Sequence, residues 1–532
     1  MRASHQAKIP SMNHNPQKSV LREVDGRLLV CIEKVNTYLL SITRSAYKNT
    51  NLVLNPVLSR GPFASDLIRK VVFKERAQSQ TRLFVLAQLL RYYAKSLLRF
   101  VHYISIFLYV KYAQKFKTRA VRPGTGQLTV IDTFAIVDRI LHEGIYQEQY
   151  FPGLPSLFQD LGRAYVIFPV LDRYPFSLWK AHKVVQALRK SDYPIVTEFD
   201  LVELADLVAL LKFMLIYPLD VISFSQSLRG TSELDKLLCA ELVNTLHQSH
   251  SPISGFIRYA SAKRLAKAAN CHINLISWCE NQVIDKGLYS GLRECAPSVL
   301  IYACQNYVAY PAYINMQIVE SESEFQVTPD IVLVNGPAFL RRSDKLQYRL
   351  GPSLRYKWIF SAIDTGVDKS GCVICLCYLP GLSREILEVC RAADSLSKLP
   401  IPVRAHPAFA NHTLPRLPSN WYYTEKEVPE LLRDSALMVT SESGTAIEAV
   451  AVGTSVIIIA SQSSFTCNPM LQSGKGELWD IAFDPGEVDA VYSHLLLFRK
   501  NNPIRIQELT GYYKTHCFVE PTVEAIKVAF DL

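Results

Sequence analysis

The sequence predicts an α/β protein with two Rossmann-like domains and a basic, helical N-terminal extension. Three observations support this fold class. From about residue 126 onward, short apolar runs alternate with helical stretches, a pattern typical of parallel sheets covered by helices. A polar link at residues 341–356, which contains Gly351 and Pro352, interrupts the alternation once before it begins again. The first 125 residues lack the alternation and are strongly basic.

These features divide the chain into three predicted segments. They are an extension at 1–120, a first Rossmann-like domain at 121–345 and a second at 346–532. Strand-like runs lie at 128–131, 165–171, 195–197, 273–278, 299–303, 331–334, 373–378 and 403–405. Helical stretches lie at 178–189, 201–215, 233–248, 384–395, 487–500 and 522–532.

The composition is that of a large globular protein. Its 532 residues are 49% hydrophobic and 20% charged, which suits two or three domains with large cores. The twelve cysteines are scattered without paired spacing, and no signal peptide is apparent, so reduced thiols in a cytoplasm are expected. Cys372, Cys375 and Cys377 lie on an apolar strand-like run, where core packing rather than metal binding is expected.

The positive charge is concentrated at the N-terminus. Residues 1–125 contain 22 Lys and Arg against 5 Asp and Glu, a balance of +17, whereas the whole chain carries +10. The first 20 or so residues are polar and without periodicity, so we expect disorder there. Residues 81–118 predict one long helix without Pro or Gly, on which Arg91, Lys95 and Arg99 share one face with apolar neighbours.

This helix, at 81–119, has more than one interpretation. Its longest uncharged run is 11 residues, too short to span a bilayer, but its composition suits an anionic membrane surface. A helix packed on the main body with a solvated basic face would show the same pattern. Nucleic acid is not the expected partner, because the stretch has no recognition motif and its apolar face is too large for a phosphate-tracking arm.

The most informative stretch is 429–459, PELLRDSALMVTSESGTAIEAVAVGTSVIII. It predicts a short helix at 429–433, a strand at 436–440, a second helix at 445–452 and a second strand at 456–459. That order is a βαβ unit, so the two strands should be parallel and buried on both faces. The turn between strand and helix lies where open α/β sheets bind ligands, and a helix start favours a phosphate.

Four residues around this turn are candidate ligand contacts. Ser443 and Thr445 supply hydroxyls, and Gly444 allows close approach of the backbone. Glu448 lies one turn into the helix and can reach a sugar hydroxyl if a phosphate binds at the turn. Alternatively, the glycine and serines serve only to form a tight turn in the βαβ unit.

Two Rossmann-like halves joined by a short link describe the GT-B architecture, in which the active site lies in the cleft between the halves. Many nucleotide-sugar glycosyltransferases and some epimerases share it. The pattern therefore predicts a cleft enzyme of this kind, and the residues below narrow the class.

A series of motifs occurs in a fixed order over about residues 125–480. The motifs are TVIDTF (129–134), YFPGLPSLFQDLG (150–162), WCENQV (278–283), ACQNYV (303–308), TPDIVLVNG (328–336), GPSLRY (351–356), RAHP (404–407) and SESGTAIEAVAVGTSVII (441–458). This series resembles bacterial surface-carbohydrate biosynthesis proteins of the O-antigen and capsule type. The first hundred or so residues carry none of the resemblance.

The His406–Pro407 pair followed by a hydroxyl-bearing turn also resembles the donor site of GT-B transferases that use CMP-activated acidic sugars. The resemblance implies that His406 contacts the donor phosphate and that Ser443 and Thr445 do so from the helix start. Glu442 and Gly444 interrupt the Ser-Ser or Ser-Thr motif of that family, so a UDP-sugar donor stays open. His406 could instead be a strand-end histidine bonded to the backbone.

An inverting transferase needs a carboxylate that deprotonates the acceptor hydroxyl, and the first domain is expected to supply it. Glu280 is the first candidate, because it follows the strand that ends at Trp278. Asp285 and Asp132 are alternatives as the base, and Glu280 could instead orient a substrate or neighbour a helix cap.

Charge on the departing phosphate is expected to be neutralised by His406, by the helix start and by Arg404. No Asp-x-Asp pair occurs in the chain, so the sequence asks for no metal and no cofactor beyond the nucleotide-sugar substrate.

The sequence therefore predicts a cytoplasmic glycosyltransferase of surface-polysaccharide assembly, peripheral on the inner face of the membrane. Its substrates would be a nucleotide-sugar donor and a glycan or lipid-linked acceptor. The alternatives are a nucleotide-sugar epimerase of the same fold and a non-catalytic scaffold that binds nucleotide sugar.

Overall fold

The protein folds around two separate parallel sheets. The computed structural model describes residues 18–61, 67–77, 80–113, 126–175, 177–228, 232–308, 313–361, 369–406 and 414–532. Within them lie two six-stranded sheets, all of whose strand pairs are parallel. This confirms the predicted class, a GT-B-like α/β protein with two Rossmann-like domains and a helical N-terminal region.

The first sheet is built from six strands: β1 (Gln127–Ala135), β2 (Tyr165–Leu171), β3 (His272–Trp278), β4 (Leu300–Gln305), β5 (Ile331–Val334) and β6 (Gln347–Leu350). Their order is β2-β1-β3-β4-β5-β6. The central strands are buried on both faces, which explains their continuous apolar sequence. The direction of strand order reverses between β1 and β3, and a crevice opens at such a switch point.

The second sheet is built from β7 (Cys372–Cys375), β8 (Ile401–Arg404), β9 (Trp421–Tyr423), β10 (Leu437–Thr440), β11 (Ser455–Ile459) and β12 (Trp479–Ala482). Their order is β12-β11-β10-β7-β8-β9, the order of a dinucleotide-binding Rossmann sheet. Its switch point lies between β7 and β10. Each sheet therefore has one binding crevice at the carboxyl ends of its central strands.

Helices precede, cover and connect the sheets. Up to the end of the first domain they are α1 (Lys18–Ala46), α2 (Leu67–Val72), α3 (Arg82–Leu108), α4 (Val137–Glu143), α5 (Leu154–Asp160), α6 (Leu178–Lys190), α7 (Glu198–Leu201), α8 (Leu204–Ser227), α9 (Glu233–Thr245), α10 (His250–Ala269) and α11 (Val283–Cys295). Beyond it they are α12 (Lys357–Ser361), α13 (Pro380–Ala392), α14 (Asp394–Ser397), α15 (Val428–Asp434), α16 (Thr445–Ala451), α17 (Pro485–Asn501), α18 (Pro503–Cys517) and α19 (Val523–Phe530).

The stretch at 429–459 folds as predicted. Helix α15, strand β10, helix α16 and strand β11 follow one another, and β10 pairs in parallel with β11. Gly453, with φ of +75°, makes the left-handed turn that follows α16. The strand predicted at 195–197 was wrong: Ile195 makes only an isolated bridge to Ile167, because Thr197 already caps helix α7.

The N-terminal region is not a separate appendage. Apolar side chains of α1, α2 and α3 share one buried cluster with those of α8, α9 and α10. Next to Tyr47 of this cluster, Glu322 accepts hydrogen bonds from Lys286 Nζ at 2.8 Å and Arg60 Nη2 at 3.4 Å, and all three side chains have no exposed surface. Residues 1–17, where disorder was predicted, and 114–118, the end of the predicted long helix, lie outside the described residues.

The predicted domain boundary at 345/346 falls too early. Strand β6 follows it yet pairs with β5, so the first sheet extends to Leu350. The C-terminal helix α19 also returns to the first domain, where Phe530 packs in its core and Asp531 accepts a hydrogen bond from the Tyr302 hydroxyl at 2.9 Å. A polar edge strand inside a polar link leaves no apolar run to detect, which explains the early boundary.

Helices α10 and α11 pack unusually closely. A Cβ atom on Gly287 would lie 2.1 Å from the Gly255 carbonyl oxygen, and one on Gly291 would lie 2.3 Å from that of Tyr259. Real side chains do not approach so near, so glycine is required at this helix crossing. The contact fixes the start of α11, which directly follows the carboxyl end of β3.

Candidate functional site

The carboxyl edges of the two sheets meet at the junction of the domains. Tyr313, which follows β4, and Tyr378, which follows β7, share a hydrogen bond between their hydroxyls at 2.9 Å. The switch point of the first sheet adjoins β3 and that of the second adjoins β7, and open α/β sheets bind ligands at such points. The sequence-predicted site residues follow the strands that border it.

Glu280 lies at the first switch point, two residues after β3. Its carboxylate accepts hydrogen bonds from Trp278 Nε1 at 3.2 Å and from Gln282 Nε2 at 2.6 Å. Burial raises the pKa of Glu280, and those two hydrogen bonds and the charge of Arg355 oppose the rise. A carboxylate with a raised pKa is a stronger base than an exposed one.

The backbone around Glu280 is locked by two asparagines. Asn315 Nδ2 donates to the Glu280 carbonyl at 2.6 Å, and Asn281 Nδ2 donates to the Asn315 carbonyl at 2.7 Å. Asn281 adopts a left-handed conformation with φ of +51°, which asparagine tolerates better than most residues. The loop therefore holds Glu280 at a fixed place on the cleft edge.

Arg355 is a site residue that was not predicted from the sequence. It lies in the link between the domains, its side chain is exposed, and its guanidinium lies 5.1 Å from the Tyr150 ring centroid and 5.2 Å from that of Trp278. These aromatic faces attract the cation and orient it. Its place inside the GPSLRY motif, in a link that must border the cleft, was the available signal.

Glu448, from the second domain, also feels the charge of this guanidinium. Burial raises its pKa to about 7, against the opposing effects of the Arg355 charge and of a hydrogen bond with Trp358. Two carboxyl groups from different domains, Glu280 and Glu448, thus lie under the influence of one arginine. A carboxyl that titrates near neutral pH can both give and take a proton under physiological conditions.

His406 follows β8 on the second domain. Its ring centroid lies 6.1 Å from that of Tyr378, with the ring planes inclined at 64°. Burial, and next the charge of Arg404, lowers the pKa of His406, which favours the neutral imidazole. The Arg404 guanidinium bonds the Thr424 carbonyl at 3.3 Å and lies 3.7 Å from the Glu427 carboxylate. Pro407 lies outside the described residues.

The turn after β10 presents the partly exposed Ser443, Gly444 and Thr445. The amides of Ala446 and Ile447 donate to the carbonyls of Ser443 and Gly444, each at 3.0 Å. Those two amides are thus engaged within the turn. The side-chain donors that the turn offers to a ligand are the hydroxyls of Ser443 and Thr445.

Glu442 lies directly before this turn, where an exposed carboxylate would repel a phosphate. It is buried, and its carboxylate accepts a hydrogen bond from the Cys467 amide at 3.2 Å. Burial raises the pKa of Glu442, and the hydrogen bonds with Cys467 oppose the rise. The carboxylate is therefore bonded to the Cys467 segment rather than exposed at the turn.

The two alternative bases have structural roles. Asp132 forms a buried ion pair with Arg258 and accepts a hydrogen bond from Ser277 Oγ at 2.7 Å. Asp285 is fully engaged at the start of α11, where it accepts the Gln282 amide at 2.8 Å in a capping box. Both side chains are buried, whereas that of Glu280 is partly exposed.

The three cysteines of the β7 region pack in the cores of the second domain, as predicted. Among the described residues, no group of three or more His, Cys, Asp or Glu side chains is placed to hold a metal ion. Any ligand at the cleft would be contacted chiefly by the carboxyl, arginine, histidine and hydroxyl groups described above.

No protein-family model matches the chain, and no curated protein sequence matches it. Solved structures with similar folds include MurG from Acinetobacter baumannii, at 9% identity over 76% of this chain and 100% of that one, with a TM-score of 0.39. A UDP-GlcNAc 2-epimerase from Neisseria meningitidis bound to UDP-GlcNAc matches at 9% identity over 76% and 99%, with a TM-score of 0.40. The glycosyltransferase SnogD from Streptomyces nogalater matches at 12% identity over 76% and 99%, with a TM-score of 0.37.

Likenesses at this level carry no argument about the reaction. The assignment to the GT-B class of two-domain α/β proteins therefore rests on the two parallel sheets and their strand order.

Proposed function

We propose that this protein is a glycosyltransferase that moves a sugar from a nucleotide-sugar donor to a glycan or lipid-linked acceptor. The observation that carries the proposal is the convergence of Glu280, Arg355 and Glu448 where the carboxyl edges of the two sheets meet. A transfer cleft needs a base from one side, a cation for the leaving phosphate and a group that holds the donor. This junction offers all three.

In the proposed reaction Glu280 takes the proton from the acceptor hydroxyl as that oxygen attacks the anomeric carbon of the donor. The bond from that carbon to the phosphate oxygen breaks, and the nucleotide leaves with both electrons. Burial favours Glu280 as the base because it raises the pKa of the carboxylate. Trp278 and Gln282 hold its oxygens in place.

Negative charge grows on the phosphate as the bond breaks, and Arg355 supplies the exposed positive charge. His406 and the hydroxyls of Ser443 and Thr445 are proposed to hold the same phosphate from the second domain. Arg404 already donates a hydrogen bond to the Thr424 carbonyl after β9, so its proposed role is to support His406. Glu448 is proposed to accept a hydrogen bond from a hydroxyl of the donor.

The finer assignment follows from the sequence resemblance. We propose a CMP-sugar donor ahead of a UDP-sugar donor, a role in surface-polysaccharide assembly, and chemistry that needs no metal. The burial of Glu442 and its hydrogen bond from the Cys467 amide support a phosphate site at the turn, because this carboxylate is not exposed there.

A nucleotide-sugar epimerase is the second candidate, and one observation favours it. Glu280 and Glu448 are two carboxyl groups of raised pKa on opposite sides of the cleft, an arrangement that suits proton removal from one face of a sugar carbon and return to the other. Such an enzyme would act on the nucleotide sugar alone. A transferase would need an acceptor.

The first experiment is a thermal-shift panel with CMP, CDP, UDP and GDP. At a hundredfold excess over its dissociation constant, the true nucleotide should add about 2.7 kcal/mol of stability. His406→Ala should lose that gain, whereas His272→Ala, exposed at the opposite edge of the first sheet, should keep it. No shift with any nucleotide would favour a protein that does not bind nucleotide sugars at this cleft.

The second experiment separates the two reactions. Incubation of the matching nucleotide sugar in D₂O should leave the sugar free of deuterium if the protein is a transferase, and should label one sugar carbon if it is an epimerase. Glu280→Gln should lower turnover by about a hundredfold or more while nucleotide binding is kept. Equal turnover in the Glu280→Gln variant would remove this residue as the base.

A further inference from the structure

Helix α3 carries its leucines on the outside. Leu83, Leu86, Leu90, Leu97, Val101 and Leu108 follow one another at helical spacing, and each is between 43% and 78% exposed. The opposite face, which packs on the protein, includes the polar side chains Gln88 and Ser96. A soluble amphipathic helix has the reverse arrangement, with leucines inside and polar groups outside.

Helix α8 repeats this arrangement beside it. Leu204, Val208, Leu211, Leu215 and Leu219 form a second exposed line at helical spacing. The two helices are in contact, since the Tyr93 hydroxyl of α3 donates to the Leu215 carbonyl at 3.0 Å. Of the 29 large exposed hydrophobic side chains among the described residues, eight lie on α3 and six on α8. These two lines together are called the leucine surface below.

By length and composition α8 could cross a membrane, but its inner face is held by the protein. The hydroxyl of Tyr217 accepts a hydrogen bond from Asn55, and Asp220 accepts one from Asn51 at 2.7 Å. Pro218 and Val221 are buried on the same face. A helix fixed along one side presents only its other side to lipid, so it lies along a surface rather than through it.

The exposed charges next to the leucine surface are mostly basic, and the acidic Glu203, which adjoins Leu204, is paired with Arg264 at 2.8 Å. Helix α3 contains no acidic residue, and Arg91 and Lys95 are exposed next to its leucines. Lys212 is exposed beside Leu211 on α8. One acidic residue of α8, Asp206, is paired with Arg264 at 3.0 Å. An apolar surface with basic neighbours matches the acyl chains and anionic headgroups of a bilayer.

We propose that the leucine surface docks this protein onto an anionic lipid bilayer, with α3 and α8 lying side by side in the interface. The sequence had suggested the 81–119 helix alone, whereas the tertiary structure adds α8 as an equal half of the contact. The proposal stands independently of the transferase reaction, because neither helix supplies a residue of the cleft. It places the first domain, which would take the acceptor, against the membrane.

The test is cosedimentation of the full chain with vesicles of phosphatidylglycerol and phosphatidylcholine. Leu90→Glu with Leu97→Glu, and separately Val208→Glu with Leu215→Glu, should each lower the affinity about tenfold or more, because an exposed leucine that inserts into lipid is replaced by a charge. The control is Leu497→Glu with Ile504→Glu, which makes the same charge change at sites 59% and 73% exposed on α17 and α18. This control should bind like the wild type.

Further measurements distinguish lipid from protein as the occupant. Arg91→Gln with Lys95→Gln should weaken binding to phosphatidylglycerol vesicles and leave binding to pure phosphatidylcholine unchanged. Light scattering gives the oligomeric state of every variant, and circular dichroism verifies folding. The proposal is overturned if the wild type does not bind vesicles. This holds whether the wild type is a monomer or a dimer that the leucine substitutions dissociate. Equal losses in the leucine variants and in the control would overturn it as well.

Discussion

Replacement of Glu448 by glutamine should stabilise the protein at pH 8 and have little effect at pH 5. Burial raises the pKa of this carboxyl from 4.5 to about 7 in the folded protein. Between those two values the folded protein keeps a proton that the unfolded chain has lost. Stability therefore falls as the pH rises from 4.5 to 7, and the loss is complete above pH 7. Glutamine cannot ionise, so the variant avoids that loss.

The size of the effect follows from the same two numbers. At about 1.4 kcal/mol per pKa unit, the interval from 4.5 to about 7 corresponds to about 3 kcal/mol as an upper bound. The side chain keeps some contact with solvent, which reduces the cost of its charge, so we expect about 1–3 kcal/mol. Glutamine retains an oxygen for the Trp358 hydrogen bond, so little else changes.

The assay is urea unfolding of the wild type and of Glu448→Gln at pH 5, 6, 7 and 8. The matched control is Glu430→Gln on α15, which makes the same charge change at an exposed position and should be near neutral at every pH. A Glu448→Gln variant no more stable than the wild type at pH 8 would falsify the reasoning. A gain of equal size at all four pH values would do so too, because the titration would then play no part.

Three further substitutions probe packing, buried charge and the cleft. Gly287→Ala should lower the free energy of unfolding in urea by about 1–3 kcal/mol or more, because its Cβ would strike a carbonyl of the facing helix. Gly511→Ala has open space around it and should raise the free energy of unfolding by up to about 1 kcal/mol. Lys286→Met should lower the free energy of unfolding by about 3–5 kcal/mol in the same assay, because the Glu322 carboxylate would lose the buried ammonium group that lies 2.8 Å away. Arg355→Met should weaken nucleotide binding about tenfold or more in calorimetric titration, because the proposed charged hydrogen bond from the guanidinium to the nucleotide phosphate is lost.

Each of these has an outcome that contradicts it. Equal effects of alanine at positions 287 and 511 would mean that the close helix crossing does not limit the side chain. A near-neutral Lys286→Met would mean that Arg60 alone compensates the buried carboxylate. Unchanged nucleotide affinity in Arg355→Met, with the fold intact, would remove this arginine from the donor site.

Much of the fold was readable from local sequence. The alternation of apolar runs and helices predicted both sheets, and the stretch at 429–459 gave its helices and strands to within a residue or two. Local patterns succeed there because buried parallel strands must be continuously apolar and short turns require particular residues. Where a strand is polar, as in β6, or where a cap competes with it, as at Thr197, the same reasoning failed.

The site was only partly predictable. Glu280 and Glu448 could be proposed because each follows a strand or a turn with a recognisable position. Their relation through Arg355 could not, because the three residues are far apart in sequence and come together only at the domain junction. Likewise Asp132 looked like a candidate base until its buried partner Arg258 was known. A titrating group is defined by its neighbours, which sequence spacing does not reveal.

The sequence by itself determined the class of the protein: two parallel α/β halves, a basic helical N-terminal region and the turn at the end of β10. Only the tertiary structure decided which side chains share the cleft and which carboxylates form structural ion pairs or hydrogen bonds. It also decided that α3 and α8 expose one leucine surface. The physical reason is that burial, charge pairing and exposure depend on distances between remote parts of the chain. Periodicity reports only what neighbours in sequence require.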